Sequence, residues 1–295
     1  MGLLLGVVVL LARHRDTEPL YREERLGTWV MQYNESRITG NRPDSIEAAL
    51  AIKAIGSNGL PYLLQSLQHE TSPGNRRFSY VLRHLPLNLS SKKFVQSMAA
   101  TADSGTAHAE AAMWAFLPLQ SQAEPAIPEL ARLMRSTNTG SSRAVIALAC
   151  LGKRAVPTLV NGLTNPSPAH RMRIAAILGD REFFPEIVST NVAALLKCLE
   201  DPDAGVAWAG AASLGNLQAQ PETVLPALQL AAEKHGVHEV RLEAIKAIGR
   251  FGAEGRAAMP FLIRALSSTN SEQAEAATNA LRQVAPDLLT KATSQ

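Results

Sequence analysis

Apolar residues recur along most of the chain at i, i+3, i+4 and i+7, as in Leu60, Leu63, Leu64 and Leu67. This spacing predicts α-helices, because it gathers the apolar side chains on one helix face. No stretch shows a sustained alternation of apolar and polar residues, so the pattern favours no sheet. The sequence therefore predicts an all-α fold.

Six segments repeat one form: a first helix of small residues, a turn containing Gly, and a second helix often opened by Pro. The second helices are predicted to begin near Pro61, Pro128, Pro157, Ala193, Pro226 and Pro260. The spacings are 67, 29, 36, 33 and 34 residues, so the period is about 34 and the first gap holds two units. The additional unit in that gap is predicted to begin its second helix near Lys92. A last helix is predicted from Glu272. The sequence thus predicts about seven units over residues 45–295.

Proline and glycine fit this assignment. Pro is tolerated at the first helical position, because the N–H that it lacks would have no partner there. A set of glycines stands at or near the ends of the first helices, where Gly permits a left-handed cap or a close approach of the next helix. They are Gly56, Gly152, Gly179, Gly215 and Gly249.

The composition indicates a globular chain with little specialised chemistry. Hydrophobic residues make up 46% and charged residues 19%, and the aromatic content of 5% favours thin, closely packed helices. Two cysteines exclude a disulfide scaffold and a four-cysteine zinc site. A net charge of +3 is too small to indicate nucleic-acid binding by itself.

The amino terminus begins with twelve residues, MGLLLGVVVLLA, that carry no polar side chain. We treat residues 1–15 as an apolar N-terminal segment and residues 16–44 as a linker or cap. The run is too short to span a bilayer, which takes about 17–25 residues. Two interpretations stay open. One is a single N-terminal membrane anchor or its remnant, with the side of the membrane undetermined. The other is a helix that lies on the membrane interface or packs on the first repeat; without an anchor we expect a cytoplasmic protein.

The repeated segments, such as VIALACLGKRAVPTLVNGL from Val145, resemble the HEAT-repeat family, particularly the short bacterial repeats of phycobilin-lyase-like proteins. The resemblance covers about residues 45–290. It implies an α-solenoid whose second helices line a concave, protein-binding face. The opening from Glu18 resembles bacterial envelope-anchored HEAT-repeat proteins over a shorter stretch.

The family pattern often has an Asp in the turn and an Arg eight residues before the Gly of the first helix. Arg171 and Arg241 match this Arg, whereas Ala207 replaces it in the unit that has Asp201. From this departure we expect the internal Asp–Arg ladder to be broken and stability to rest mainly on apolar stacking.

The resemblance and the helical period together predict a non-enzymatic scaffold that binds another protein through its second helices. The candidate contact residues are polar positions on those helices, chosen by periodicity. They are Gln65, Gln68, Arg132, Arg135, Lys197, Gln229 and Arg264.

Residues that could carry metal or nucleophilic chemistry are few. His238-Glu239 and His235-x-x-His238 supply too few ligands for a metal centre, so we expect no metal and no cofactor. Cys150 and Cys198 lie on apolar helix faces, where a free Cys behaves as a small hydrophobic residue. The common phosphate-loop, serine-hydrolase and zinc-protease motifs are absent from the sequence.

Two alternatives to the scaffold stay open. Repeat similarity alone would allow a phycobilin-lyase-like enzyme. Residues 71–102 and 130–179 contain basic side chains but no acid, so a nucleic-acid binder is the other alternative. Most of the basic residues in 130–179 fall in turns or first helices, which favours a solvated face.

Overall fold

A computed structural model describes residues 18–69, 105–136, 138–181, 183 and 189–286. The predicted anchor of residues 1–12 and the predicted unit near Lys92 lie outside this part of the chain. Within it, regular structure is helical except for a short antiparallel hairpin, β1 (Leu20–Tyr21) and β2 (Glu24–Arg25). The prediction of an all-α solenoid fold is confirmed, and the hairpin is an addition that the sequence pattern did not predict.

Contacts divide the chain into two compact units, residues 1–151 and 152–295. The first unit contains β1 and β2 followed by seven described helices, of which α1 and α2 form an antiparallel pair around Gly40. Its helices are α1 (Leu26–Thr39), α2 (Arg42–Ile55), α3 (Leu60–Leu67), α4 (105–114), α5 (Phe116–Leu119), α6 (Ile127–Met134) and α7 (Gly140–Cys150). Its core includes Leu26, Ile52, Leu63 and Phe116, each almost fully buried.

The second unit alternates second helices with first helices of the repeat. The second helices α8, α10, α12 and α14 precede the first helices α9, α11, α13 and α15, and each packs on the first helix that follows it. The bounds are α8 (Val156–Gly162), α9 (Pro168–Leu178), α10 (Ser189–Cys198), α11 (Ala204–Leu217), α12 (Pro221–Lys234), α13 (His238–Arg250), α14 (Met259–Ala265) and α15 (Ser271–Val284). Leu159, Leu195, Leu228 and Leu262 occupy the same buried position on the four second helices.

Four of the six predicted second-helix starts are confirmed to within one residue. α3, α6, α8 and α14 each begin one residue before the predicted Pro, which takes the second helical position. Two predicted starts are wrong: α10 begins at Ser189 rather than Ala193, and α12 begins at Pro221 rather than Pro226. In α12, Pro226 lies inside the helix on its exposed side, so water can reach the Glu222 carbonyl, which lacks a helical N–H partner.

The glycines near the ends of the first helices act in two ways. Gly56 and Gly152 have φ angles of 61° and 60°, the left-handed region that favours glycine. Gly215 and Gly249 instead lie within α11 and α13, where they face the next first helix. A Cβ atom at Gly215 would lie 2.8 Å from both Cα and Cβ of Ala247, so the helix backbones approach more closely than a side chain permits.

The contact at Gly215 repeats along the second unit. Gly179, at the end of α9, faces Ser213 of α11, and Gly249 faces Ala280 of α15. Ser213 Oγ also donates a hydrogen bond of 2.9 Å to the Ala175 carbonyl. Small residues therefore form a continuous line of contact through α9, α11, α13 and α15.

Replacing Gly215 by Ala should destabilise the protein by about 1–3 kcal/mol, because the added methyl group overpacks a backbone contact. In an uncrowded helix the same change would stabilise by about 1 kcal/mol, so the sign is diagnostic. Urea unfolding monitored by circular dichroism measures the change. Gly236→Ala is the control: a Cβ there has no neighbour within 4 Å, and its effect should stay within about 0.5 kcal/mol. An equally small effect at Gly215 would contradict the packing.

Candidate partner-binding surface

The second helices present one repeated position to solvent. It lies four residues after the Pro, or after Ala193 in α10, and it is exposed on every described second helix. Its occupants are Gln65, Arg132, Asn161, Lys197, Leu230 and Arg264. Because this position repeats while the core positions stay apolar, the second helices can vary their exposed chemistry without changing the packing.

The predicted contact residues mostly lie on this outer side. Gln65, Gln68, Arg132 and Arg135 are exposed in the first unit, and Lys197 and Arg264 are exposed in the second. Gln229, one residue before the outward position, is half-buried. Their role in binding stays a prediction.

Two of these cations are paired. Arg132 donates hydrogen bonds of 2.8 and 2.6 Å to Glu129, which lowers the pKa of that carboxyl. Arg264 on α14 donates from Nη2 to Glu233 Oε1 of α12 at 3.0 Å and so joins two second helices. Both pairs are solvent-exposed, so they fix side-chain position more than they stabilise the fold.

Sequence reasoning missed an apolar part of this surface. Leu230 and Ile263 are 51% and 53% exposed on α12 and α14, and Leu266, just after α14, is 41% exposed. They stand beside the Glu233–Arg264 bridge. For Leu230 the signal in the sequence was an apolar residue at the outward position, which carries Lys197 in α10 and Arg264 in α14. We define Leu230, Ile263, Leu266, Lys197 and Arg264 as the second-helix surface.

One Arg–Asp ion pair of the ladder forms in this unit, between Arg171 and Asp201. Arg171 donates from Nε to Asp201 Oδ2 and from Nη2 to Oδ1, each at 2.8 Å. Its Nη1 donates to the Asn165 carbonyl at 2.9 Å, so one guanidinium binds both its own turn and the next repeat. The Arg171 guanidinium lowers the pKa of the Asp201 carboxyl. The expectation of a broken ladder is therefore wrong at this repeat, although Ala207 ends it at the following one.

In the described part of the chain, both cysteines are buried and His238 pairs with a neighbouring acid. Cys150 and Cys198 are each 5% exposed, and burial raises the thiol pKa to about 12 for Cys150 and about 11 for Cys198. His238 Nε2 is 2.8 Å from Glu272 Oε2, a pair that connects α13 to α15. No group of three His, Cys, Asp or Glu side chains in the described ranges is placed to hold a metal ion.

The basic stretch 130–179 is partly engaged within the protein. Arg132 and Arg171 are paired with acids, and Arg143 is 9% exposed and donates from Nη1 to the Leu67 and His69 carbonyls. The other stretch, 71–102, lies outside the described residues. At least three of the seven Lys and Arg side chains in 130–179 are thus engaged with other groups of the protein.

The tryptophans have separate roles. Trp29 is 7% exposed and donates from Nε1 to the Tyr21 carbonyl at 3.2 Å, so it packs within the first unit. Trp114 on α4 lies under the Arg37 guanidinium, 3.6 Å from its ring centroid, in a cation–π contact. Trp208 is 44% exposed on α11, where it lies outside the second-helix surface.

Comparison with known proteins supports the assignment made from helix pairing. The sequence pattern of HEAT repeats matches residues 156–236 and, overlapping them, 191–282. No curated protein sequence matches the chain. None of the described helices is long and apolar enough to cross a membrane.

Three solved structures are similar to this chain. An engineered protein has 21% identity and a TM-score of 0.43, over 71% of this chain and 97% of its own. A designed armadillo repeat protein has 18% identity and a TM-score of 0.39, over 76% and 99%. Computationally designed armadillo repeat proteins for modular peptide recognition have 18% identity and a TM-score of 0.40, over 76% and 99%.

The paired helices, their period and the shared packing positions define an α-solenoid repeat protein. Within that class, residues 156–282 of the chain match the pattern of HEAT repeats. The predicted resemblance to that family is confirmed over these residues. Proteins of this architecture are typically binding scaffolds, because stacked repeats present an extended surface rather than an enclosed pocket.

Asp201→Asn should destabilise the protein at neutral pH by about 1–3 kcal/mol, because it removes the charge that Arg171 binds. The folded-state pKa of Asp201 is lowered, so this stability is present above the unfolded pKa of about 3.9 and is lost as pH falls through the folded value. The difference between wild type and variant in urea unfolding should therefore shrink below about pH 4. Glu200→Gln, an exposed neighbour, is the control; a pH-independent difference at Asp201 would contradict the ion pair.

Both thiols should resist labelling in the folded protein. Burial and the raised pKa values leave almost no accessible thiolate at pH 8. Ellman's reagent should react fully only in urea, at two thiols per chain. Rapid labelling of either Cys150 or Cys198 in buffer would contradict the packed arrangement and reopen a nucleophilic role.

Proposed function

We propose that this HEAT-repeat protein binds a protein or peptide partner through the second-helix surface. Leu230 and Ile263 carry the proposal, since they expose more than half of two large apolar side chains on neighbouring helices. Apolar side chains surrounded by charged ones are the usual composition of a protein-binding surface. Stacked repeats are expected to place these helices on a concave side, which suits an elongated partner.

The charges around the apolar pair suit a partner with some acidic character. Lys197 is exposed on α10, and Arg264 is 66% exposed at its side chain although it is paired with Glu233. These side chains can orient a partner at the rim, while Leu230 and Ile263 supply the buried contact. The function is binding, and no chemical step is part of it.

The double variant Leu230→Glu/Ile263→Glu should reduce peptide affinity at least tenfold, because it places charge where the partner must exclude water. Peptides selected from a random display library against the wild-type protein provide the ligands, and fluorescence anisotropy measures the affinity. Lys197→Ala/Arg264→Ala should weaken binding less and reduce its salt dependence.

The matched control is Met172→Glu/Trp208→Glu, which alters two large apolar side chains of similar exposure, 41% and 44%, on first helices. It should leave peptide affinity unchanged. Loss of affinity in this control with none in Leu230→Glu/Ile263→Glu would place binding on the first helices and overturn the proposal. Failure of the library to yield any binding peptide would also count against it.

A further inference from the structure

Two arginines of the second unit occupy the same place in their repeats. Arg171 in α9 and Arg241 in α13 each stand eight residues before Gly179 and Gly249. The Nη1 of each donates to the two carbonyls that lie six and five residues earlier. For Arg241 these are His235 at 2.7 Å and Gly236 at 3.1 Å, matching Asn165 and Pro166 for Arg171. The turn therefore holds both guanidinium groups in the same way.

The residue opposite each arginine differs. Asp201 lies two residues before Asp203, the N-cap of α11, and its Oδ1 accepts a hydrogen bond from the Asp203 N–H. Ser268 lies two residues before Asn270, the N-cap of α15, and its Oγ accepts from the Asn270 N–H. Ser268 is thus the structural equivalent of Asp201, with a hydroxyl in place of the carboxylate. That hydroxyl donates to Gln273 Oε1 at 2.9 Å.

This difference leaves two donors of Arg241 without a protein acceptor. In Arg171, Nε and Nη2 bind the two carboxylate oxygens of Asp201. Among the residues that the structure describes, the Nε and Nη2 of Arg241 have no hydrogen-bond partner. Since Arg241 is half-buried and its Nη1 is anchored, these donors form a pre-oriented fork, the geometry that suits a bidentate carboxylate.

Arg241 lines a groove of about 460 Å³ between α12, α13, α14 and the start of α15. Arg264 and Glu233 stand at the same groove as an exposed ion pair, so Arg241 gives the lining a net positive charge. Ile245 and Phe261 form an apolar part of the lining, and Gln273 adds a polar amide. A carboxylate attached to a short apolar or peptide group matches this combination.

We propose that the Nε/Nη2 edge of Arg241 binds the carboxylate of a peptide, contributed by an Asp or Glu side chain or by a C-terminus. The protein itself demonstrates the recognition geometry, because Arg171 holds Asp201 with the same two atoms. The site goes beyond the second-helix surface and shares only Arg264 with it. A small carboxylate can test it without any protein partner, so its failure and that of the proposed function are distinguishable.

The first test follows the arginine Nε–Hε signals by NMR while N-acetyl-aspartic acid amide is added at a pH where its carboxylate is ionised. The Arg241 signal, assigned with Arg241→Gln, should shift and saturate with a dissociation constant on the order of 10 mM. The Arg171 signal is the internal control and should stay in place, because Asp201 already occupies its donors. N-acetyl-asparagine amide, the neutral analogue, should shift neither signal.

Two further ligands identify the kind of anion. N-acetyl-alanine carries only a main-chain carboxylate, so tighter binding of this compound than of the aspartate derivative assigns the site to a C-terminus. The reverse order assigns it to an acidic side chain. A response to sodium sulfate that equals or exceeds the response to both carboxylates would overturn the proposal in favour of a general oxyanion contact, and an Arg241 signal unmoved by either carboxylate would overturn it outright.

Ser268→Asp provides a second, independent test. The new carboxylate should occupy the fork as Asp201 does, raise the urea midpoint at neutral pH, and abolish the Arg241 response to added carboxylate. Ser268→Asn is the matched neutral control and should do neither. The gain from Ser268→Asp should vanish in an Arg241→Gln background. A gain that persists there, or a carboxylate response that survives Ser268→Asp, would contradict the proposed geometry.

Discussion

The close approach of successive first helices is the constraint on which the second unit depends. A methyl group at Gly215 would fall 2.8 Å from the backbone of Ala247, so the spacing of α11 and α13 follows from the absence of side-chain volume. Interiors packed to this density transmit a small displacement directly to the neighbouring element. The position of α12 follows as well, because it packs on α13, and so does the placement of Leu230 on the surface.

An Arg–Asp ion pair accompanies this close helix packing. Arg171 binds the carbonyl of Asn165 in its own turn and the carboxylate of Asp201 in the next, so one side chain joins consecutive repeats. The charged groups of Arg171 and Asp201 each have hydrogen-bond partners, which offsets the free-energy cost of burying them. Ser268 stands where the other repeat has Asp201. There Arg241 still binds the carbonyls of its own turn through Nη1, but its Nε and Nη2 have no carboxylate to bind. Apolar stacking thus holds the repeats together, and the Arg–Asp pair adds to it locally.

Sequence reasoning predicted the class of fold and much of the register, because a period of about 34 residues with Pro and small residues at fixed places has few structural alternatives. It misplaced the start of α12, since a helix can extend upstream of a tolerated Pro when the freed carbonyl is solvated. It also misplaced the start of α10, where no Pro marks the first turn. The Arg171–Asp201 pair was missed because the reasoning looked for both partners within one unit. Leu230 and Ile263 were missed because polar residues alone were chosen as contacts.

In the turns before the first helices, one side chain accepts a hydrogen bond from the backbone, and its chemical type differs from turn to turn. Asn165, Asp201, His235 and Ser268 each accept a hydrogen bond from the N–H two residues ahead, through an amide, a carboxylate, an imidazole and a hydroxyl respectively. Any short acceptor satisfies the backbone there. The turn itself therefore needs only an acceptor at this position, whereas a charge there decides whether the residue also pairs with the arginine of the preceding repeat.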